Sequence, residues 1–192
     1  MAIIVPDNYN YVSILAIDPG LNNTGVAHLL IDHAKNEIVS LEATTIVTNN
    51  LPNNTGLSLS IHTERKIKLH KLKNCIIGYI EHLKPSVMVC ESSFYNPYMP
   101  TAYKALIESI TAIQEALIET NNNIPFLMIE PLLIKKTVGG LKGIKGKSVI
   151  RDCIRNIDEL YKLLGHNLDI LDEHSIDAIA IGYTYFKLNS EN

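Results

Sequence analysis

Positions 13–20 hold the sequence Ser-Ile-Leu-Ala-Ile-Asp-Pro-Gly, an apolar run that ends on an acid and a turn. Four consecutive apolar residues predict a strand that is buried on both faces, because such a strand has no polar side. Asp18 stands where this strand ends, and Pro19-Gly20 then predicts a turn. A buried carboxylate at the rim of a central strand needs a partner, and we interpret Asp18 as a ligand of a divalent metal. The simpler interpretation is a turn aspartate that caps its own loop.

A second strand of the same kind ends on a second acid. Val87-Met88-Val89-Cys90 is a short apolar run that continues into Glu91. The carboxyl ends of neighbouring parallel strands meet at one edge of a sheet, so we expect Asp18 and Glu91 to lie close together.

Further strands and amphipathic helices indicate an α/β fold. Three more strands are predicted over residues 26–31, 38–47 and 126–129. Two long helices are predicted over residues 57–84 and 101–119. A chain of 192 residues is typical of one domain. We therefore predict a single domain over 1–192, with a lead-in over 1–12 and a surface loop over 49–56.

A late helix contributes a third acid. The segment 175–182 consists mainly of small and aliphatic residues, yet Asp177 lies one turn inside it. His174 precedes Asp177 by three positions, so the two side chains lie on one helix face, and both can bind a metal. Asp172 and Glu173 are typical of the first turn of a helix, where acids complement the helix dipole. A capping role does not explain Asp177.

The main concentration of positive charge lies in residues 132–155. Seven cations stand there against the single acid Asp152, with four glycines among them. Cationic side chains on flexible backbone suit close approach to a phosphodiester chain, and we interpret this segment as a phosphate-binding surface. The cations are Lys135, Lys136, Lys142, Lys145, Lys147, Arg151 and Arg155. The glycine spacing fits no nucleotide-loop signature, so we expect no nucleotide cofactor.

The loop that follows Glu91 is rich in aromatic residues. Phe94, Tyr95 and Tyr98 lie within nine residues, in a chain without tryptophan. These rings either fold over the core or form a stacking surface for unpaired bases, and both interpretations stay open here.

Composition excludes several classes of protein. The three cysteines are far apart and odd in number, so they indicate neither a disulfide framework nor a zinc site. No apolar run approaches the ~20 residues of a membrane span, and the N-terminus lacks the basic start of a secretory signal. We expect a cytoplasmic protein, in the host cytosol if it is viral or phage-encoded, without a membrane partner.

Taken together, these motifs resemble the RuvC family of Holliday junction resolvases, within the ribonuclease H-like superfamily. The similarity extends from about Ser13 to Lys187 in the family's order. It rests on the motifs Ile14–Leu21 with Thr24-Gly25, Glu91 with Phe94, Lys135–Val138, Lys147-Ser148, and Asp177–Ala180. The resemblance implies a ribonuclease H-like α/β fold, with a five-stranded mixed sheet flanked by helices on both sides.

The resemblance also implies an activity and its residues. It implies a homodimeric endonuclease that resolves four-way DNA junctions by two-metal-ion hydrolysis, leaving 5′-phosphate and 3′-hydroxyl ends. The ions would be Mg²⁺, for which Mn²⁺ can substitute. The implied metal ligands are Asp18, Glu91, His174 and Asp177, and Lys147 would act beside them in catalysis. The implied DNA-binding residues are Phe94, Tyr95, Lys135, Lys136, Lys142, Lys145 and Arg151.

Some points stay open at this level. Many relatives carry an aspartate where this chain has His174, so either His174 or one of Glu173 and Asp172 completes the site. Other candidate functions are a related ribonuclease H-like nuclease acting on branched DNA or RNA–DNA hybrids, and a junction-binding module that does not cut. An actin-like ATPase is disfavoured by the size of the chain and by the lack of a second Asp-Gly phosphate loop.

Overall fold

Five strands form one mixed sheet in the described part of the chain, and seven helices pack around it. The structure is a computed structural model that describes residues 10–53, 56–58, 60–93, 97–120, 123–139 and 149–190. The strands are β1 (Tyr11–Asp18), β2 (Asn23–Asp32), β3 (Glu37–Val47), β4 (Val87–Glu91) and β5 (Phe126–Ile129). The helices are α1 (Glu64–Leu83), α2 (Pro100–Glu119), α3 (Pro131–Val138), α4 (Val149–Arg155), α5 (Asp158–Leu164), α6 (Asn167–Ile170) and α7 (Glu173–Ser190).

The strand order is β3-β2-β1-β4-β5, which places β1 at the centre. The first three strands form an antiparallel meander, while β4 and β5 continue the sheet in parallel with β1. This topology confirms the predicted five-stranded mixed sheet. It also sets the ends of β1 and β4 at the same edge, because Ile17 pairs with Cys90 one residue before each strand ends on its acid.

The two faces of the sheet bury separate apolar layers. Ile14 and Ala16 of β1 face a layer that includes α7, whereas Leu15 and Ile17 face α1 and α2. All four side chains are fully buried. Residues 14–17 are apolar on both sides because helices cover both faces of the strand, as predicted.

The lead-in is shorter than its predicted span of 1–12. Tyr11 and Val12 already belong to β1, because they pair with Asp32 and Ile31 of β2. Residues 1–9 lie outside the described part of the chain.

Helix α1 begins at Glu64, later than the predicted start near residue 57. Thr63 is the N-cap, and its side chain accepts a hydrogen bond from the backbone N–H of Lys66. Just before the cap, the Ser58 hydroxyl accepts the backbone N–H of Ser60. Such local hydrogen bonds from serine compete with helix formation. The helix is therefore shorter than the range 57–84 that the spacing of apolar residues predicted.

Helix α7 lies unusually close to the sheet. A Cβ atom added to Gly182 would lie 2.4 Å from Cδ1 of Leu29 on β2 and 3.1 Å from the Cβ of Ala16 on β1. A larger residue at this point would require the Leu29 side chain to move. The close approach brings the N-terminal turn of α7 to the sheet edge where Asp18 and Glu91 lie. None of the helices in the described residues combines the length and apolar character that crossing a membrane requires.

Candidate functional site

Three predicted acids and the predicted histidine gather at the carboxyl edge of the sheet. Asp18 ends β1 and Glu91 ends β4, its parallel neighbour. Helix α7 brings His174 and Asp177 to the same edge from the face that it covers. The His174 ring donates a hydrogen bond from Nδ1 to Oδ2 of Asp18 at 2.9 Å. Asp18 and His174, which are 156 positions apart in sequence, thus contribute to one site.

Gly25 makes this approach possible. It pairs with Asp18 across β1 and β2, and the backbone of His174 lies directly against it. A Cβ atom at position 25 would lie 2.0 Å from the carbonyl oxygen of His174 and 3.2 Å from the Cβ of Asp18. The sequence showed this glycine only as part of the Thr24-Gly25 motif, without its steric reason.

We expect Gly25→Ala to lower the free energy of unfolding by about 3 kcal/mol, because the added methyl group meets backbone atoms that cannot rotate away. Urea unfolding followed by circular dichroism measures the change. Gly78→Ala is the matched control, since nothing lies within 4 Å of its added Cβ. In the exposed interior of α1 this control should gain about 0.5–1 kcal/mol. A Gly25→Ala variant as stable as the wild type would contradict the close contact with His174.

Burial and mutual repulsion raise the pKa values of the three carboxyl groups. The pKa of Glu91 rises to about 7, first because of burial and then because of the charges of Asp18 and Asp177. Burial and the charge of Asp18 raise the pKa of Asp177 to about 6. The pKa of Asp18 is also raised by burial, although the hydrogen bond from His174 opposes the rise. Positive charge from Lys135 on α3 opposes the shifts of Glu91 and Asp177. The site therefore has an excess of negative charge when all its acids are ionised.

The hydrogen bond to Asp18 raises the pKa of His174, and partial burial opposes that rise. The imidazole therefore holds its proton to higher pH than an ordinary histidine and acts as a donor toward Asp18. His174 thus partly offsets the negative charge of the site.

The donor set fits a hard divalent cation in its chemistry. Carboxylate oxygens are the ligands that Mg²⁺ and Mn²⁺ prefer. A cation would favour the ionised forms of Glu91 and Asp177, which burial and then the neighbouring negative charges disfavour. Among the residues that the structure describes, no three or more His, Cys, Asp or Glu side chains are arranged as a formed metal site.

Asp172 and Glu173, the two acids at the start of α7, have different surroundings from His174. Asp172 is the residue before α7, and its Oδ1 accepts hydrogen bonds from the backbone N–H of Ser175 at 2.9 Å and from the Thr45 hydroxyl at 2.6 Å. It serves as a helix cap tied to β3, while His174 contacts Asp18. Glu173 is exposed, and its charge contributes to the raised pKa values of Asp18 and Asp177.

The predicted DNA-binding residues fall into different surroundings. Lys135 lies near the carboxyl cluster, and Lys136 is exposed on α3. Arg151 donates to the backbone carbonyls of residues 168, 169 and 171, so its guanidinium holds the chain that leads into α7. Phe94, Tyr95, Lys142, Lys145 and Lys147 lie outside the described residues. The assignment of all these residues to DNA binding stays a prediction.

No family model matches the sequence, and no curated protein is significantly similar to it. Solved structures do share its fold. RuvC of Thermus thermophilus in complex with a Holliday junction substrate has a TM-score of 0.65 at 16% identity, with 94% of this chain and 97% of that chain covered. For the yeast mitochondrial Holliday junction resolvase, the TM-score is 0.61 at 12% identity, with 96% and 85% covered. For the fowlpox virus resolvase in complex with Holliday junction DNA, it is 0.50 at 14% identity, with 92% and 98% covered.

These similarities extend over nearly the whole of the chain and show the fold of RuvC, a ribonuclease H-like fold. They confirm the fold class and the resemblance to RuvC and related Holliday junction resolvases that the sequence motifs indicated. At sequence identities of 12–16%, the similarity shows a common fold and not a common activity. The activity must be argued from the site itself.

Proposed function

We propose that this chain is a magnesium-dependent endodeoxyribonuclease that resolves four-way DNA junctions. The observation that carries the proposal is the convergence of Asp18, Glu91, Asp177 and His174 at one sheet edge, with carboxyl groups that raise one another's pKa values. Clusters of buried acids with perturbed pKa values are typical of functional sites. The chain that carries this cluster has the fold of RuvC. This similarity favours junction DNA over other phosphodiesters as the substrate.

We propose Asp18, Glu91, Asp177 and His174 as the residues that hold the metal, two Mg²⁺ ions per site with Mn²⁺ as a substitute. When bound, such ions activate a water molecule and stabilise the departing 3′ oxygen of an in-line displacement. The expected products are nicks with 5′-phosphate and 3′-hydroxyl ends.

The side chains of the chain itself have further roles in this proposal. His174 orients Asp18 through its hydrogen bond and lessens the repulsion among the acids. Lys135 lies near enough to Glu91 and Asp177 to affect their pKa values, so it can also offset charge on a phosphate held at the site. Lys147 is proposed for the same task.

Recognition of the junction would involve aromatic and basic residues. We propose that Phe94 and Tyr95 stack on unpaired bases. Cationic side chains at Lys135, Lys136, Lys142, Lys145 and Arg151 would contact the backbone. The proposed active form is a homodimer, because two protomers that cut strands of like polarity resolve a junction symmetrically. We propose that it acts in the cytoplasm, or in the host cytosol if the chain is viral or phage-encoded.

A panel of end-labelled substrates tests this function. With Mg²⁺ present, we expect the protein to cut a four-way junction at least about 100-fold faster than linear duplex, a flap or an RNA–DNA hybrid. EDTA should stop the reaction. Resealing of the nicks by a ligase would demonstrate the 5′-phosphate and 3′-hydroxyl ends, and size-exclusion chromatography with light scattering would measure the oligomeric state.

Other outcomes of the same panel support other functions. Faster cutting of the hybrid would indicate a nuclease of RNA–DNA duplexes, and tight junction binding without cutting would indicate a binding module. Either result would overturn the proposed resolvase.

A further inference from the structure

The first turn of α7 must be held in place for His174 to contact Asp18, because a helix N-terminus frays unless its free N–H groups find partners. The sheet offers a row of three residues beneath this turn. Asp18 of β1 pairs with Gly25 of β2, and Gly25 pairs with Thr45 of β3. All three lie on the face that α7 covers.

We propose that Thr45, with Asp172 and Ser175, forms a positioning element that sets the first turn of α7 against Asp18. We name these three residues the α7 dock. Its effect on cleavage rests on the proposed function. Its effect on the geometry of the helix does not.

The α7 dock is a closed set of hydrogen bonds. The Thr45 hydroxyl donates to Oδ1 of Asp172 at 2.6 Å and accepts from the Ser175 hydroxyl at 2.9 Å. The same Oδ1 of Asp172 accepts the backbone N–H of Ser175 at 2.9 Å. Ser175 is only 2% exposed, so its hydroxyl depends on these partners. Each member of the dock therefore contacts the other two.

The dock acts on the site through the order of residues along α7. His174 lies between Asp172 and Ser175, so the dock fixes the backbone on both sides of it. Asp18 is at the other end of the row from Thr45, and the His174 ring donates a hydrogen bond to it. The carbonyl of His174 lies against Gly25, the middle residue of the row. Without the Thr45 hydroxyl, Asp172 and Ser175 would lose their hydrogen bonds to β3.

Thr45→Val tests the proposal because it removes the hydroxyl and keeps the branched shape that suits a strand. We expect the backbone amide of Ser175 to exchange with solvent about fivefold faster, as the loss of one hydrogen bond implies. Single-turnover cleavage of a four-way junction should slow about tenfold, with the junction Kd changed less than twofold. Thr45→Ser, which restores the hydroxyl, should recover both rates. Thr44→Val, on the exposed neighbour in β3, is the matched control and should change neither.

Several results would overturn the proposal. Unchanged exchange at Ser175 in Thr45→Val would show that the hydroxyl does not hold the turn. A Thr45→Ser variant as impaired as Thr45→Val would assign the effect to the lost methyl group. Faster exchange with unchanged cleavage would remove the positioning role. If the wild type cuts no branched DNA, the proposed function fails, while the exchange measurement still decides whether the dock holds α7.

Discussion

Asp18→Asn is expected to reduce junction cleavage about 10³-fold or more in Mg²⁺ while the junction Kd stays within about twofold. Asparagine has the shape of aspartate, but it is a weak ligand for a hard cation because it carries no charge. It also removes the charged partner of the His174 imidazole. In the proposed function, DNA binding depends on cations outside the acid cluster, so it should survive the substitution. Single-turnover cleavage of a labelled junction and a binding titration in Ca²⁺ measure the two effects separately.

Glu42→Gln is the control for this substitution. Glu42 is an exposed acid on β3 whose side chain lies on the sheet face opposite Asp18. The Glu42→Gln variant should cleave the junction at the wild-type rate. If Asp18→Asn kept more than about a tenth of the wild-type rate, Asp18 could not be the central metal ligand of the site.

The sequence predicted the strands and the acids well because both signals are local. A run such as 14–17 can be buried on both faces only in the middle of a layered sheet. An acid at the end of each of two such runs then marks the same edge, because parallel neighbours end together. Asp177 was identified for a similar reason, since a charge inside an apolar helix needs a partner from another element.

The remaining features of the site depend on which strands pair, and no local pattern encodes that. From the sequence, His174 is the predicted fourth ligand, and Glu173 and Asp172 are alternatives because each can bind a metal near the same helix start. The pairing of β3 with β2 separates them by placing Thr45 beneath Asp172. The steric role of Gly25 likewise exists only because α7, far along the chain, returns to cover β2.

Arg151 illustrates the limit of counting charges. In sequence it belongs to a basic segment that favours phosphate contact. In the structure its guanidinium donates to three backbone carbonyls, of residues 168, 169 and 171. Those carbonyls are left free by the end of the short helix α6, which the sequence did not predict. A cation that already binds backbone carbonyls has less freedom to bind DNA than its charge alone implies.

The metal-free protein is expected to lose stability as pH rises from 5 to 8. The folded state holds protons on Glu91, with a pKa of about 7 against an ordinary 4.5, and on Asp177, with a pKa of about 6 against 3.8. The unfolded chain releases these protons at lower pH, so the free energy of unfolding falls across this window. The raised pKa of His174 acts in the same direction, because stability gained by its charged form is lost as pH rises. Because both carboxyl groups are partly open to water, we expect a total loss of about 3 kcal/mol.

Urea unfolding in EDTA at pH 5, 6, 7 and 8 measures this loss, and 5 mM Mn²⁺ at pH 8 should reverse most of it by binding the ionised acids. Glu91→Gln cannot ionise, so it should flatten the curve and make the metal-free protein more stable than the wild type at pH 8. Glu115→Gln, which alters an exposed acid on α2, should keep the wild-type slope. Lowered pKa values have the opposite sign. That of Asp172 lies outside this window, whereas that of His28, lowered mainly by burial, lies inside it and reduces the net slope. A flat curve for the metal-free wild type, or a full slope in Glu91→Gln, would mean that burial and repulsion do not raise the pKa values of these acids. The main electrostatic reason for a cation at this sheet edge would then be lost.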